Sequence, residues 1–482
     1  MLASVMASTA VAAAGATGGT ARPQAKKVSN QAAIDRLTKS LSSTAQPTKN
    51  GPDWQGESNQ RVAWYGYEVG PAGDVNGDGY DDAVVGAYRY DANTMVDSGK
   101  AWLYYGSPTG LSTTAGWTVN GPWPGAMLGH SVSTAGDVNG DGYDDLVIGV
   151  PSPTGGTGSG WAYAYYGSPT GPSTTPDWAV TVTQAADWFG RTVRTAGDVN
   201  RDGYDDVIVG APHYDDGQME EGGAWAYYGS PNGLHTTADW AMEENQAWAL
   251  FGRWNGTAGD VNGDGYDDVI IGAHFWDDNF QNEGRAFAFY GSANGLHTVA
   301  DWYADGGQKE AWFGRAGGTA GDVNADGYSD VIVGAPKYDN DQTNEGRAFA
   351  FYGSATGLHT VADWHAEADQ AEAWYGRRLT TAEDVNGDGY DDVLIAAPNY
   401  DTVRPDGGKV FLYYGSAAGL EADPAWTQVS NQDHAWFGRS VARAEDVNGD
   451  GYADVIIGAP LYDHPEHDEG MAFAFYGSPG GL

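Results

Sequence analysis

One period governs this chain. A nine-residue phrase, DVNGDGYDD or a close variant, begins at Asp74, Asp137, Asp198, Asp260, Asp322, Asp384 and Asp446, in steps of 61 to 63 residues. A second phrase, usually DW, supplies Trp54, Trp117, Trp178, Trp240, Trp302, Trp364 and Trp426. A third, YYGS or FYGS, closes at Ser107, Ser168, Ser230, Ser292, Ser354, Ser416 and Ser478. Seven units of near-constant length require one supersecondary unit packed against copies of itself.

Each unit reads as four short strands. The first leads from an FG-like pair into the aspartate phrase, as in Trp436-Phe437-Gly438-Arg439-Ser440-Val441. The second is β-branched and ends in a GAP-like turn (Val331-Ile332-Val333-Gly334-Ala335-Pro336). The third alternates small and aromatic residues with a period of two (Ala348-Phe349-Ala350-Phe351-Tyr352). The fourth carries DW, usually with a glutamine six residues later (Gln184, Gln246, Gln308, Gln370, Gln432). No segment keeps helical spacing. The expected fold is all-β: a seven-bladed β-propeller of four-stranded antiparallel blades over residues 52–482. Alanines on one blade leave room for aromatics on the next. A DW strand precedes the first aspartate phrase and none follows Tyr476. The strand near residues 53–60 is therefore expected to pair with residues 472–476 and close the ring. An open array would leave a hydrophobic edge exposed.

The aspartate phrase places side-chain oxygens at positions 1, 3, 5 and 9, with a glycine at position 6 for the tight turn. Position 1 is the aspartate that opens each phrase. Position 3 is Asn76, Asn139, Asn200, Asn262, Asn324, Asn386 and Asn448; position 5 is Asp78, Asp141, Asp202, Asp264, Asp326, Asp388 and Asp450. Position 7, which offers a backbone carbonyl, is Tyr80, Tyr143, Tyr204, Tyr266, Tyr328, Tyr390 and Tyr452. Position 9 is Asp82, Asp145, Asp206, Asp268, Asp330, Asp392 and Asp454. Hard oxygen donors in a flexible loop suit Ca2+, up to seven ions at one per blade, whereas Mg2+ keeps more water. An EF-hand needs an acid at position 12 and a following helix. Position 12 here is Val85, Ile148, Val209, Ile271, Val333, Ile395 and Ile457, so the loop runs into a buried strand. A metal-free Asp/Asn/Gly turn is the alternative.

Composition narrows the partners. The formal charge is −41, from 65 acids and 24 bases, a field that repels nucleic acid and anionic lipid. With no cysteine, disulfides, thiolate zinc sites and cysteine nucleophiles are excluded together. Residues 1–51 are different material: an Ala-rich uncharged run, then a basic polar stretch. They read as a secretion signal without its positive n-region followed by a flexible linker, or as a disordered tail. No stretch is long and apolar enough to span a bilayer as a helix.

On these residues the repeats resemble the FG-GAP repeats of integrin α-chain propellers and of bacterial FG-GAP proteins. The FG element is Phe189-Gly190, Phe251-Gly252, Phe313-Gly314 and Phe437-Gly438, with Tyr65-Gly66 and Tyr375-Gly376 as variants. The GAP element is literal at Gly210-Ala211-Pro212, Gly334-Ala335-Pro336 and Gly458-Ala459-Pro460. The resemblance implies calcium loops between strands one and two on one face, and ligands on the opposite face. It further implies an extracellular or cell-surface protein. The residue after FG, often aromatic in integrin α chains, is here Tyr67, His130, Arg191, Arg253, Arg315, Arg377 and Arg439. Five arginines at an axial mouth would repel the basic residue an integrin β chain inserts. They would bind an anion such as a sulfated or carboxylated glycan or an acidic side chain. Alternatively, each pairs with a carboxylate of the acidic loops between strands two and three, such as residues 339–345.

Catalysis finds no foothold in these repeats. His235, His297 and His359 recur at one position in consecutive units, as scaffold would, and no GxSxG, HExxH or phosphate loop is present. The tryptophans before FG (Trp64, Trp188, Trp312, Trp374, Trp436) read as inter-blade packing or as sugar platforms. Repetition breaks in unit 2, around Trp123 and His130 and in the segment from Pro151 to Thr157, which makes that blade a candidate contact region. The expected function is a monomeric, non-catalytic adhesion or ligand-binding module for an extracellular protein or glycan. The alternative is the propeller domain of an extracellular polysaccharide-active or lipid-active enzyme.

Overall fold

The computed structural model describes residues 51–151, 160–182, 184 and 187–482. The expected leader and linker, and residues 152–157 of the unit-2 loop, lie outside them. The described residues form seven four-stranded antiparallel sheets and no helix. Blade 1 comprises Glu68–Gly73, Asp82–Ala87, Lys100–Tyr104 and Trp117–Asn120. Blades 2 to 6 repeat it from Val132, Thr192, Trp254, Ala316 and Arg378.

Blade 7 is composite. Ser440–Glu445, Asp454–Ala459 and Met471–Phe475 are joined by Trp54–Glu57 from the other end of the propeller sequence. Trp54 faces Ala474 and Glu57 faces Met471. Flanking bonds lock this register: Asp53 N–H donates to Ala474 O, and Tyr476 N–H to Asp53 Oδ2, each at 2.9 Å. First strands of consecutive blades pack side by side, and that of blade 1 touches those of both blade 2 and blade 7. The ring is closed, as the order of the phrases predicts.

Why each strand looks as it does follows from its place. Second strands such as Asp330–Ala335 are buried along their whole length, because both faces meet neighbouring blades. This accounts for their unbroken β-branched runs. Between blades 4 and 5, Ala286 and Ala288 leave space filled by Phe313 and Phe351, and Trp302 meets Phe351 edge-on at 5.0 Å. Six of the seven DW indoles, from Trp54 to Trp364, also donate across the blade boundary, as in Trp240 Nε1 to His297 O at 2.9 Å. Burying one such side chain, on the order of 200 Å², stabilises by about 5 kcal/mol.

Two expectations shift in detail. The FG pair sits in a turn ahead of the first strand, with Gly438 at φ 83°, so that strand begins at Ser440. The glutamine after DW lies beyond the fourth strand and clasps the next blade. Gln246 Nε2 donates to Asp277 O at 2.7 Å, while Asp277 N–H donates to Gln246 Oε1 at 2.6 Å. The same clasp joins Gln308 to Asp339 and Gln432 to Asp463.

Candidate functional site: the aspartate loops and the axial mouth

The aspartate loops connect first and second strands, so all seven lie on one face. In blade 1 the chain folds around the position-1 carboxylate. Asp74 Oδ1 accepts from Gly77 N at 2.7 Å and Asp78 N at 3.0 Å, and Oδ2 accepts from Gly79 N at 2.8 Å. Asn76 Oδ1 accepts from Asp78 N, and Asp78 Oδ1 from Tyr80 N. Asp82, fully buried, accepts from Gly106 N and Val75 N. This pattern recurs around the ring, for example at Asp260, Asn262, Asp264 and Asp268. Burial, with the charges of Asp78 and Asp74 adding, pushes the Asp82 carboxyl up to about 8. Three oxygen-bearing side chains and a buried carboxylate lacking positive charge fit a hard divalent cation.

The sequence reading missed position 8. Asp81, Asp144, Asp205, Asp267 and Asp391 reach the preceding loop, where Oδ2 accepts the N–H of that loop's first aspartate, as in Asp144 to Asp74 at 2.9 Å. Ser329 and Ala453 hold that place in blades 5 and 7 and keep only the backbone half of the link. Tyrosines of position 7 pack the same way: a Cβ added to Gly263 would lie 2.6 Å from the Tyr328 ring. Seven loops are therefore one interlocked ring. Ala325 stands where most loops have glycine, at φ 54°, a left-handed conformation that costs a side chain about 1–2 kcal/mol. Ala325→Gly is expected to stabilise by about 1 kcal/mol in urea unfolding; a net loss would show that the alanine methyl contributes packing.

At the opposite ends of the first strands, the residue after FG turns toward the axis. Arg191, Arg315 and Arg439 are buried; Arg253 and Arg377 are half-buried. None pairs with a carboxylate among the described residues, where the ion-paired arginines are Arg89, Arg194, Arg285, Arg347, Arg378, Arg404 and Arg443. Pairing with the acidic loops, such as residues 339–345, is thus not what the structure shows. Instead Arg191 Nη1 donates to His130 Nδ1 at 3.0 Å, and Arg439 lies 4.0 Å over the Tyr67 ring. Buried N–H groups on Arg191, Arg377 and Arg439 have no acceptor. Burial, then one another's charge, hold Arg253, Arg315 and Arg377 well below the usual arginine range. Burial and the Arg191 charge keep His130 neutral. Burial opposes ionisation of Tyr67, but the charges of Arg439 and Arg191 prevail and lower its hydroxyl.

Below this mouth a cavity of about 110 Å³ follows the axis between first strands. Glu68, Arg194 and Arg378 lie in it, and Glu68 bonds to both arginines. These three were also missed. They stand at inward positions where other units carry small residues or Trp254, so the break in the repeat was the available signal. Among the contact candidates of unit 2, His130 joins the mouth, while Trp123 packs on the apolar cluster between blades 1 and 2. The indoles before FG form the rim. Trp312 and Trp374 meet at 6.3 Å across a blade boundary, and Lys337 sits 3.9 Å over Trp312. His235, His297 and His359 bond to Asp239, Asp301 and Asp363 and are scaffold.

Curated relatives align with parts of the chain. Integrin alpha-6 of Homo sapiens is 34% identical over 139 residues, 29% of this chain and 12% of that protein. Integrin alpha-V of Gallus gallus is 30% identical over 212 residues, 42% of this chain and 19% of that protein. Phosphatidylinositol-glycan-specific phospholipase D of Bos taurus is 32% identical over 168 residues, 33% of this chain and 20% of that protein. The matched region spans a fifth or less of each of these relatives. The FG-GAP repeat model matches residues 65–104, 128–163, 189–227, 252–289, 313–351, 375–413 and 437–475. With one match per blade, covering more than half of the sequence, the chain belongs to the FG-GAP repeat family.

Proposed function

We propose that this chain is an extracellular or cell-surface, calcium-binding propeller that acts as a non-catalytic adhesion or ligand-binding module. Its ligand, a protein or glycan, presents a carboxylate or sulfate to the axial mouth on the face opposite the aspartate loops. The observation that carries this reading is the ring of guanidiniums without carboxylate partners, in a chain of net charge −41. Buried cations without counter-ions are costly, and an incoming anion relieves that cost. The likeness to integrin alpha chains supports the surface setting. Each aspartate loop would hold one Ca2+ through its position-1, -3, -5 and -9 side chains and the position-7 carbonyl, drawing seven loops into one rigid floor.

Titration with a sulfated glycan, its unsulfated counterpart, and acidic and basic peptides, all in calcium, tests the mouth. Anionic probes are expected to bind, more weakly at high salt, and to push the Tyr67 hydroxyl back up in ultraviolet titration. Arg315→Gln with Arg377→Gln should lower affinity about tenfold or more. Unaltered binding in that double variant sinks the anion site.

Likeness to a phospholipase D favours a second reading, the propeller of a lipid-active or polysaccharide-active enzyme. Turnover of a glycolipid or acidic polysaccharide by the purified chain would establish it.

A further inference from the structure

The blade that closes the ring differs from blades 4 and 5 in one partly buried corner; blade 3, where Glu243 faces Gly223, also lacks the arginine, but its Glu221 keeps the backbone donors of Asp216 and Gln218. In blades 4 and 5, the acid at the end of the fourth strand is neutralised by an arginine that opens the third: Arg285 on Asp305, and Arg347 on Glu367. In the closing blade the acid is Glu57 and the residue paired with it is Met471, which carries no charge.

A second acid beneath it has also lost its partners. Glu283 accepts three backbone N–H groups from its own loop, those of Asp278, Asn279 and Phe280. Glu345 accepts those of Asn340 and Gln342. The equivalent Glu469 is fully buried, and neither carboxylate oxygen has a hydrogen-bond partner. Its loop has a different sequence, Asp463-His464-Pro465-Glu466-His467-Asp468, and the His464 N–H turns to Glu466 O instead.

What the corner has gained is an imidazole. His464 Nδ1 is hydrogen-bonded to Glu57 Oε2 at 2.5 Å, a contact that a bound ion would replace, and ligand atoms of Glu57, His464 and Glu469 all lie within 4.8 Å of one another.

We propose that Glu57, His464 and Glu469 form a site for a divalent transition ion of the zinc type, which staples the closing strand to the last blade. Two carboxylate oxygens and one imidazole nitrogen are a zinc donor set, with the remaining position left for water. The imidazole separates this site from the aspartate loops, whose all-oxygen donors prefer calcium. The ion links residue 57 to residues 464 and 469, so it acts on closure of the ring rather than on any one loop.

The test uses the full chain in millimolar calcium, which keeps the aspartate loops occupied. After treatment with a zinc-selective chelator, Zn2+ is titrated by calorimetry and Tm is followed; Co2+ then serves as a spectroscopic substitute. One equivalent is expected to bind, with a rise in Tm and a Co2+ absorption band that requires His464. His464→Ala, an exposed substitution, and Glu469→Gln, a neutral isostere, should each weaken binding by more than about tenfold. His467→Ala should leave it unchanged, since Asp463, His467 and Asp468 form a separate, more exposed group in the same loop. Failure to bind zinc in calcium, equal affinity in His464→Ala, or a loss that follows His467→Ala would each overturn the proposal.

Discussion

Removing calcium from the full chain with EGTA is expected to lower Tm by about 20 °C. The size follows from mass action. An ion at a hundredfold excess over its Kd adds about 2.7 kcal/mol per site, so seven loops would contribute about 19 kcal/mol. For a fold of about 430 residues, the unfolding entropy is about 0.9 kcal/mol/K, which converts that energy into roughly 20 °C. The loops are hydrogen-bonded to one another, so loss of ions from one should loosen its neighbours. Asp264→Asn in a single loop is accordingly expected to cost about 3 °C in calcium and nothing in EGTA. Calorimetry in the two conditions decides the matter: one Tm in both would mean that the loops are metal-free turns.

A variant beginning at Asn59, which lacks the closing strand, should aggregate or unfold at room temperature. It loses four pairs with Met471–Phe475, the flanking bonds of Asp53, and the Trp54 indole that donates to Ser112 O at 2.9 Å. Loss of the buried tryptophan alone costs about 3–5 kcal/mol. The whole loss approaches the 5–15 kcal/mol that typically separates folded from unfolded domains. It also bares the alternating Met471-Ala472-Phe473-Ala474-Phe475 edge, a template for pairing with another chain. A peptide spanning residues 51–60, added in trans during refolding, should restore monomeric protein. If the truncated variant were monomeric with an unchanged Tm, closure by this strand would carry little of the stability.

Particular residues show how much could be read without coordinates. The apolar, mostly β-branched run of each second strand announced a buried strand after each aspartate phrase; that both its faces meet neighbouring blades came from the structure. The position-12 residues, Ile271 among them, separated these loops from EF-hands on spacing alone. Gln246 was visible as a repeated residue, but its clasp on Asp277, 31 positions away in the next blade, was not. Position 8 has no role in the spacing of the phrase itself; in the structure Asp144 holds the Asp74 amide, 70 residues earlier. The arginines were foreseen at the mouth. Whether carboxylates would meet them was open, and the structure leaves them without such partners.

What the sequence determined by itself was everything that repeats in the fold: the count of blades, the strand order, the place of the aspartate loops and the need for a strand borrowed from the far end. These depend on local periodicity and on the arithmetic of one missing strand, which a linear string displays in full. Only the tertiary structure decided which charges meet. Glu68 with Arg194 and Arg378, Arg191 with His130, and Glu57 with His464 and Glu469 join residues 61 to 412 positions apart. Electrostatic energy depends on distance and burial in space, and neither is written in separation along the chain.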